Sequence, residues 1–341
     1  MLTLGTATHA ALAPTERTAL DELYTALNGD GWTNNSGWKT SDTPCLDWHG
    51  IVCDATGTHV IEIDFFNNNA VGSIPNSIQS FTQLRVLDLT LSKLGSSTIP
   101  AEMGALAELR ELYITDASLV GNIPVELAQL AQLEILYLDD NFLSGQIPEG
   151  LGLLDKLREL RLYNNQLTGP IPNSFGSLRV LADLRLYNNA LTGEIPASLT
   201  NLRSLEFLNL DWNALHSNDA TLNTYIDQRL YNTASTSYLD TQTLDANPIQ
   251  ADVGETAVRL HWTAIDTTPQ TSGGYNIYAA SNADGPYGLV KSVALKSTSN
   301  ALIEGLRAQT TYFFKVRSYS DDANVINLPT PLESSGDLYG R

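Results

Sequence analysis

Leu133-Glu-Ile-Leu-Tyr-Leu-Asp-Asp-Asn-Phe-Leu-Ser-Gly-Gln-Ile-Pro148 is followed by Leu157-Arg-Glu-Leu-Arg-Leu-Tyr-Asn-Asn-Gln-Leu-Thr-Gly-Pro-Ile-Pro172 and by Leu181-Ala-Asp-Leu-Arg-Leu-Tyr-Asn-Asn-Ala-Leu-Thr-Gly-Glu-Ile-Pro196. Equivalent leucines stand 24 residues apart, the period of a stacked repeat in which each unit buries its apolar edge on the next. Leucines at positions 1, 4 and 6 of each copy point into the stack. Positions 3, 5 and 7 lie on a short strand and face outward, because side chains alternate along extended chain. The Asn at position 9, here Asn141, Asn165 and Asn189, brings an amide that can satisfy buried backbone groups of the turn and link one coil to the next. Gly at position 13 permits a backbone conformation that other residues avoid, and Pro at position 16 fixes φ where the chain turns onto the back.

Seven copies share this frame, starting at Val60, Leu84, Leu109, Leu133, Leu157, Leu181 and Leu205. Two depart from it. The second is one residue longer, with Ser92 in the Asn place and Gly95-Ser-Ser-Thr98 before Ile99-Pro100, and the third has Ala117 in that place. Looser packing is expected where the amide is missing. The L-x-G-x-I-P half resembles the plant-type leucine-rich repeat of receptor ectodomains and polygalacturonase-inhibiting proteins. The resemblance implies an α/β solenoid, a right-handed arc with a parallel concave sheet.

Before the repeats, apolar Leu20, Leu23, Tyr24 and Leu27 mark one face of a helix over residues 14–28, opened by Pro14 and Thr15 and closed by Gly29. Trp32, Trp38 and the run Pro44-Cys45-Leu-Asp-Trp48-His-Gly50-Ile-Val-Cys53 resemble the N-terminal cap of plant-type repeat proteins. That cap covers the first open coil with tryptophans and a disulfide, here Cys45 to Cys53. No His or Cys cluster nearby offers the alternative of four metal ligands. A disulfide implies an oxidising, extracytoplasmic setting. The second N-terminal and the C-terminal cysteine pairs of plant relatives are missing, and Asn34-Asn-Ser36 is the one glycosylation acceptor, so a secreted or surface member from a bacterium or a unicellular source is expected.

After Trp212-Asn213-Ala-Leu215 the repeat stops, and Ser217 to Leu230 has the pattern of a closing helix. From Pro248 the texture alternates, as in Ala257–Trp262, Gly274–Tyr278, Leu289–Val293, Asn300–Ile303 and Tyr312–Tyr319, which indicates short strands of an all-β, immunoglobulin-like sandwich. Trp262, Tyr275-x-Ile-Tyr278 and Gly305-Leu-x-x-x-Thr-Thr-Tyr312-x-Phe-x-Val316 resemble a fibronectin type III domain, with Tyr312 at its tyrosine corner. The expected organisation is therefore residues 1–13 as a disordered or residual leader, 14–58 as the disulfide-bearing cap, 59–215 as seven coils, 216–247 as C-terminal cap and connector, and 248–341 as the fibronectin type III-like domain.

The 341 residues carry a net charge of −19, which argues against nucleic acid as a partner. The charge is concentrated before residue 246, with 29 acidic and 12 basic side chains, against 9 and 7 after it. Such a surface suits solubility, a cationic partner or a calcium-bridged one. No stretch reaches the ~20 apolar residues of a membrane-spanning helix. No phosphate loop, Gly-x-Ser-x-Gly or His-Glu-x-x-His occurs, and the five histidines are scattered, so an enzyme is not expected.

The outward positions of the seven strands make a face roughly 30 Å long. Position 5 reads Asp64, Asp88, Tyr113, Tyr137, Arg161, Arg185, Asn209, and position 7 reads Phe66, Thr90, Thr115, Asp139, Tyr163, Tyr187, Asp211. Tyr113, Tyr137, Tyr163 and Tyr187 are candidates to stack on a ligand, Arg161 and Arg185 to hold a carboxylate or sulfate, and Asp139, Asp211 and Trp212 complete the candidate surface. The competing possibility is self-pairing, with the arginines neutralised by Glu159 and Asp183 and the tyrosines packed on each other. Asp116, Asp139 and Asp140 form a weaker candidate calcium site, without which no cofactor is expected. The expected role is non-catalytic extracellular binding of a protein or peptide on the concave face, by a chain more in keeping with a monomer. Binding of an acidic glycan is the alternative, and an adhesin spacer a further one.

Overall fold

The structure, a computed structural model, describes residues 11–95, 97–229, 250–254, 256–262, 273–281, 288–294, 298–308 and 310–320. The leader expected before residue 11, the connector over Asn232–Asn247 and the tail of the sandwich beyond residue 320 lie outside the described residues. By internal packing the chain divides into two compact units, Met1–Leu167 with Pro172–Leu186 and Pro196–Leu208, and Thr168–Ile171 with Tyr187–Ile195 and Asn209–Arg341.

In the first unit, strands Val60–Asp64, Val86–Asp88, Glu111–Tyr113, Ile135–Tyr137, Glu159–Arg161 and Asp183–Arg185 run parallel, one per repeat, and Phe207–Asn209 follows as the next strand. Register is strict: Leu87, Leu112, Leu136, Leu160 and Leu184 are mutual neighbours, and all are fully buried. Shifting one strand by a residue would turn its leucine to water and its charged neighbours inward, so burial of one face fixes the register. After each Ile-Pro, a one-turn 3-10 helix such as Val125–Gln129 or Glu149–Leu153 runs along the back. A second parallel pairing, Val120–Asn122 with Phe142–Gln146, stands between strand and back. Only the L-x-G-x-I-P wording of the repeat hinted at it.

The turn after each strand follows one rule. Position 8 has positive φ in every copy, from 49° to 59° at Asn67, Leu91, Asp116, Asp140, Asn164, Asn188 and Trp212. Asn and Asp visit this region at little cost, whereas Leu91 and Trp212 are strained there. Asn141 then closes the turn: its Nδ2 donates to the Ile114, Leu138 and Asp139 carbonyls at 2.7, 3.1 and 3.0 Å, and its Oδ1 accepts from Ala117 N and Leu119 N at 3.1 and 2.9 Å. Asn165 repeats the pattern on Leu138, Leu162 and Leu143. Where Ser92 replaces the amide, its buried Oγ has no hydrogen-bond partner. At position 13, a Cβ on Gly145 would stand 2.5 Å from Asn122 Oδ1, and φ there is +75°, so no other residue fits without strain.

The expected cap forms. Helix Pro14–Ala26 buries Ala19, Leu20, Leu23 and Tyr24, and Cys45 and Cys53 are joined. Tyr24, Trp32, Trp38, Trp48 and Phe65 form one aromatic cluster with neighbouring ring centres 4.3–5.9 Å apart. Each indole N–H finds a backbone carbonyl, on Leu27, His49 and Ser41. Strand Ile51–Cys53 pairs antiparallel with the first repeat strand and covers its edge, the exposed hydrogen-bonding row that sheets must hide. Sequence reasoning missed Glu16. Buried at 1% exposure, it accepts from Val60 N at 2.7 Å and meets His59 Nδ1 at 2.9 Å, fastening helix to first coil.

In the second unit, helix Ala220–Asp227 is shorter than the pattern predicted because Asp219 caps it, accepting from Thr221 N at 2.8 Å and Leu222 N at 3.2 Å. Two three-stranded antiparallel sheets follow, Gln250–Val253, Ala257–His261 and Asn300–Glu304 in one, and Gly288–Ala294, Gly273–Ala280 and Phe313–Ser320 in the other. Val258, Leu260, Trp262, Tyr275, Ile277, Ile303, Phe314 and Val316 fill the core. Tyr312 Oη accepts from Arg307 N at 3.1 Å, a tyrosine corner as the sequence suggested. No helix among the described residues is long and apolar enough to cross a membrane.

Replacing Asn141 by Ala strands two buried backbone N–H groups and a carbonyl. The expected cost is about 3 kcal/mol or more, read as a lower urea midpoint. An Asn141→Ala midpoint equal to that of wild type would show that the amide bonds do not hold the coils.

Candidate functional site

The register of the parallel sheet sets Glu111, Ile135, Glu159 and Asp183 in one row and Tyr113, Tyr137, Arg161 and Arg185 in the next. Both rows are outward, since the leucines between them are inward. Of the tyrosines and arginines expected to share a face, Tyr113, Tyr137, Arg161 and Arg185 are therefore aligned on it, and they are linked to one another. Tyr113 and Tyr137 meet edge to face, 5.1 Å between ring centres at 79°. Tyr113 Oη donates to Glu111 Oε2 at 2.8 Å, and Tyr137 Oη donates to Glu159. The Arg161 guanidinium lies 4.1 Å from the Tyr137 ring centre, and its Nη2 donates to Glu159 Oε2 and Asp183 Oδ2, both at 3.1 Å. Arg185 Nε donates to Asp183 Oδ1 at 2.9 Å.

Asp183 is 5% exposed and bridges two guanidiniums, so its burial is compensated on both oxygens. Burial, with their carboxylate acceptors, pushes the phenols of Tyr113 and Tyr137 above the ordinary range. Both stay protonated donors at any physiological pH. The self-pairing alternative is thus present, and Tyr113 and Tyr137 are partly buried within it.

Three expectations change. Asp139 and Asp211, placed on the binding surface by alternation, are buried at 2% and 0% exposure. The Asp139 carboxylate is closed in by the equivalent residues of the neighbouring coils, accepting from Thr115 Oγ1 at 3.3 Å and bonding Tyr163. The calcium candidate fails on the same ground. Asp139 is engaged there, Asp140 accepts from Asn164 Nδ2 at 2.6 Å, and no group of three such ligands is arranged for a metal among the described residues. In the second unit, Tyr187 packs edge-on against half-buried Trp212, ring centres 6.2 Å apart. Trp212 stands on the strained position 8, so it is part of the turn and not of the strand face.

Burial raises the Asp139 carboxyl to about 6. A carboxyl whose folded pKa lies above its unfolded value of about 3.9 binds more protons when folded, so its contribution falls as pH rises from about 4 to about 6. Wild type is expected to lose roughly 1–3 kcal/mol relative to Asp139→Asn across that window. Parallel urea titrations at pH 4 and pH 7 measure it; curves that stay parallel at both would refute the burial account.

A family model described as leucine-rich repeat region matches residues 63–259, and one for the fibronectin type III domain matches residues 246–330. Receptor-like protein 7 of Arabidopsis thaliana is 31% identical over 103 residues, 30% of this chain and 10% of that protein. The solved ectodomain of the Arabidopsis thaliana receptor kinase GASSHO1/SCHENGEN3, in complex with Casparian strip integrity factor 2, matches with TM-score 0.53 and 31% identity over 63% of this chain and 28% of that one. A plant ice-binding protein matches with TM-score 0.54 and 28% identity, over 60% of this chain and 73% of that one. The chain spans about a tenth of the length of the curated relatives it matches. With its repeat model matched over more than half the sequence, its parallel sheets and its left-handed turns, the chain belongs to the leucine-rich repeat family in its plant-type form.

Proposed function

We propose that this is a non-catalytic extracellular recognition protein that binds an extended peptide segment of a partner across the parallel-sheet face of its repeats. The observation that carries this is the register-locked row Tyr113, Tyr137, Arg161, Arg185, in which each polar tip is already fixed by a carboxylate while the side chains stay partly exposed. A prearranged surface loses little side-chain freedom on binding, and Tyr and Arg are the types that most often dominate interface energy. The Cys45–Cys53 bridge supports an oxidising compartment. Likeness to a receptor ectodomain solved with its factor points to the same use. An acidic polysaccharide is less well served, because it would compete with Glu159 and Asp183 for the two guanidiniums.

Display of random extended peptides against the purified chain, beside an acidic-glycan array, tests the proposal. Tyr137→Ala and Arg161→Ala should each weaken a selected peptide about 10-fold or more, whereas Phe142→Ala, on the other parallel pairing, should not. Binding only to glycans, or peptide affinity indifferent to Tyr137→Ala and Arg161→Ala, would defeat it.

A further inference from the structure

On the basis of the peptide-binding function proposed above, we infer that the partner segment is cationic, and that an Arg or Lys of it seats over Tyr113 at the end of the sheet face nearest the cap. The face is not uniform in charge. Its first three strands carry Glu62, Asp64, Asp88 and Glu111 outward, and the register makes Asp64 the direct neighbour of Asp88, and Asp88 of Tyr113. Like charges on directly opposed residues are destabilising. None of the four carboxylates takes part in an ion pair among the described residues. The strain registers on them: Glu62 is raised by burial and by Asp64 and Glu111, Asp88 by burial and by Asp64. Asp64 and Asp88 each give one oxygen to a backbone N–H two residues on, of Phe66 at 2.9 Å and Thr90 at 2.8 Å. Asp88 also takes a side-chain hydrogen bond from Thr90, and neither carboxylate is met by a cation among the described residues.

The same sheet displays the complex this end lacks. Arg161 rests on the Tyr137 ring between Glu159 and Asp183, a guanidinium held by one aromatic face and two carboxylates. One coil toward the cap, Tyr113 has Glu111 bonded to its hydroxyl and Asp88 beside it on the neighbouring strand, and no guanidinium of the described residues lies over it. Phe66, 55% exposed next to Asp64, offers apolar surface for the aliphatic stem of an incoming Arg or Lys.

The test is fluorescence anisotropy of the full chain with three labelled peptides, equal in length and built on one selected sequence, carrying paired Arg, paired Gln or paired Glu. The Arg peptide should bind at least 10-fold tighter than the Gln peptide and weaken about 10-fold in the double variant Glu62→Gln/Asp88→Asn. A charge-matched control, Asp155→Asn/Glu206→Gln, removes two exposed carboxylates that lie off this face and should change affinity less than 2-fold. Equal loss in both double variants would reduce the preference to the overall charge of −19 and overturn the inference. Tight binding of the Gln or Glu peptide that is lost in Tyr137→Ala would also overturn it while leaving peptide recognition standing. No binding by any of the three peptides would remove both.

Discussion

Every coil of this protein has to turn sharply with its backbone sealed from water, and in five of the seven the amide at repeat position 9 makes that tolerable. A buried N–H or C=O without a partner costs about 1–3 kcal/mol, and one turn would leave several. Asn141 answers five at once, two of its partners being N–H groups and three carbonyls, drawn from its own coil and the preceding one. The preceding residue must adopt a left-handed conformation to aim it, which explains the Asp-Asn and Asn-Asn pairs of the repeats. Where present, the amide ties two coils together, while the strict leucine register, kept even between the coils of Ser92 and Ala117, rests on burial of the leucine face.

Register is what turns a stabilising scaffold into a surface with content. A parallel sheet locked on its leucines lays its alternate side chains in straight rows, so that one coil's Glu159 falls where the previous coil's Tyr137 can reach it. The paired arginines show how far this goes. Neither Arg161 nor Arg185 is a free anion receptor, since Asp183 holds both. What the pairing leaves for a ligand is shape and aromatic area, with guanidinium planes held still, and a rigid surface of this kind recognises by fit more than by charge capture.

Sequence and structure agree where the period carries the information. Strand positions, inward leucines, the glycine at position 13, the aromatic cap and the tyrosine corner were all legible, because each depends on residue type at a fixed offset. Alternation missed the burial of Asp139 and Asp211, since it assigns a side chain to a face without saying what covers it there; Asp139 is closed in by Thr115 and Tyr163 of the neighbouring coils. Glu16 was invisible for a different reason. Its partners are His59 Nδ1 and Val60 N, more than forty positions away in the chain, and no local pattern separates a buried helix glutamate from a solvated one. Whether the arginines of the face would pair or stay free was likewise undecidable from spacing alone, as both outcomes use the same residues.

The two ends of the face differ in a way that bears on how such a protein can evolve a partner. Around Tyr137 the cation is built in, and the carboxylates there are neutralised before any ligand arrives. Around Asp64 and Asp88 like charges are neighbours, and neither takes part in an ion pair among the described residues. Folding alone does not favour that arrangement, because a single Lys or Arg at either position would relieve it. A repeat protein can exchange outward residues without disturbing the inward leucines or the amide ladder, so nothing in the scaffold obliges the acidic neighbours to stay. Acidic neighbours beside the exposed Phe66 therefore fit the cationic partner segment inferred above better than they fit the needs of the coil itself.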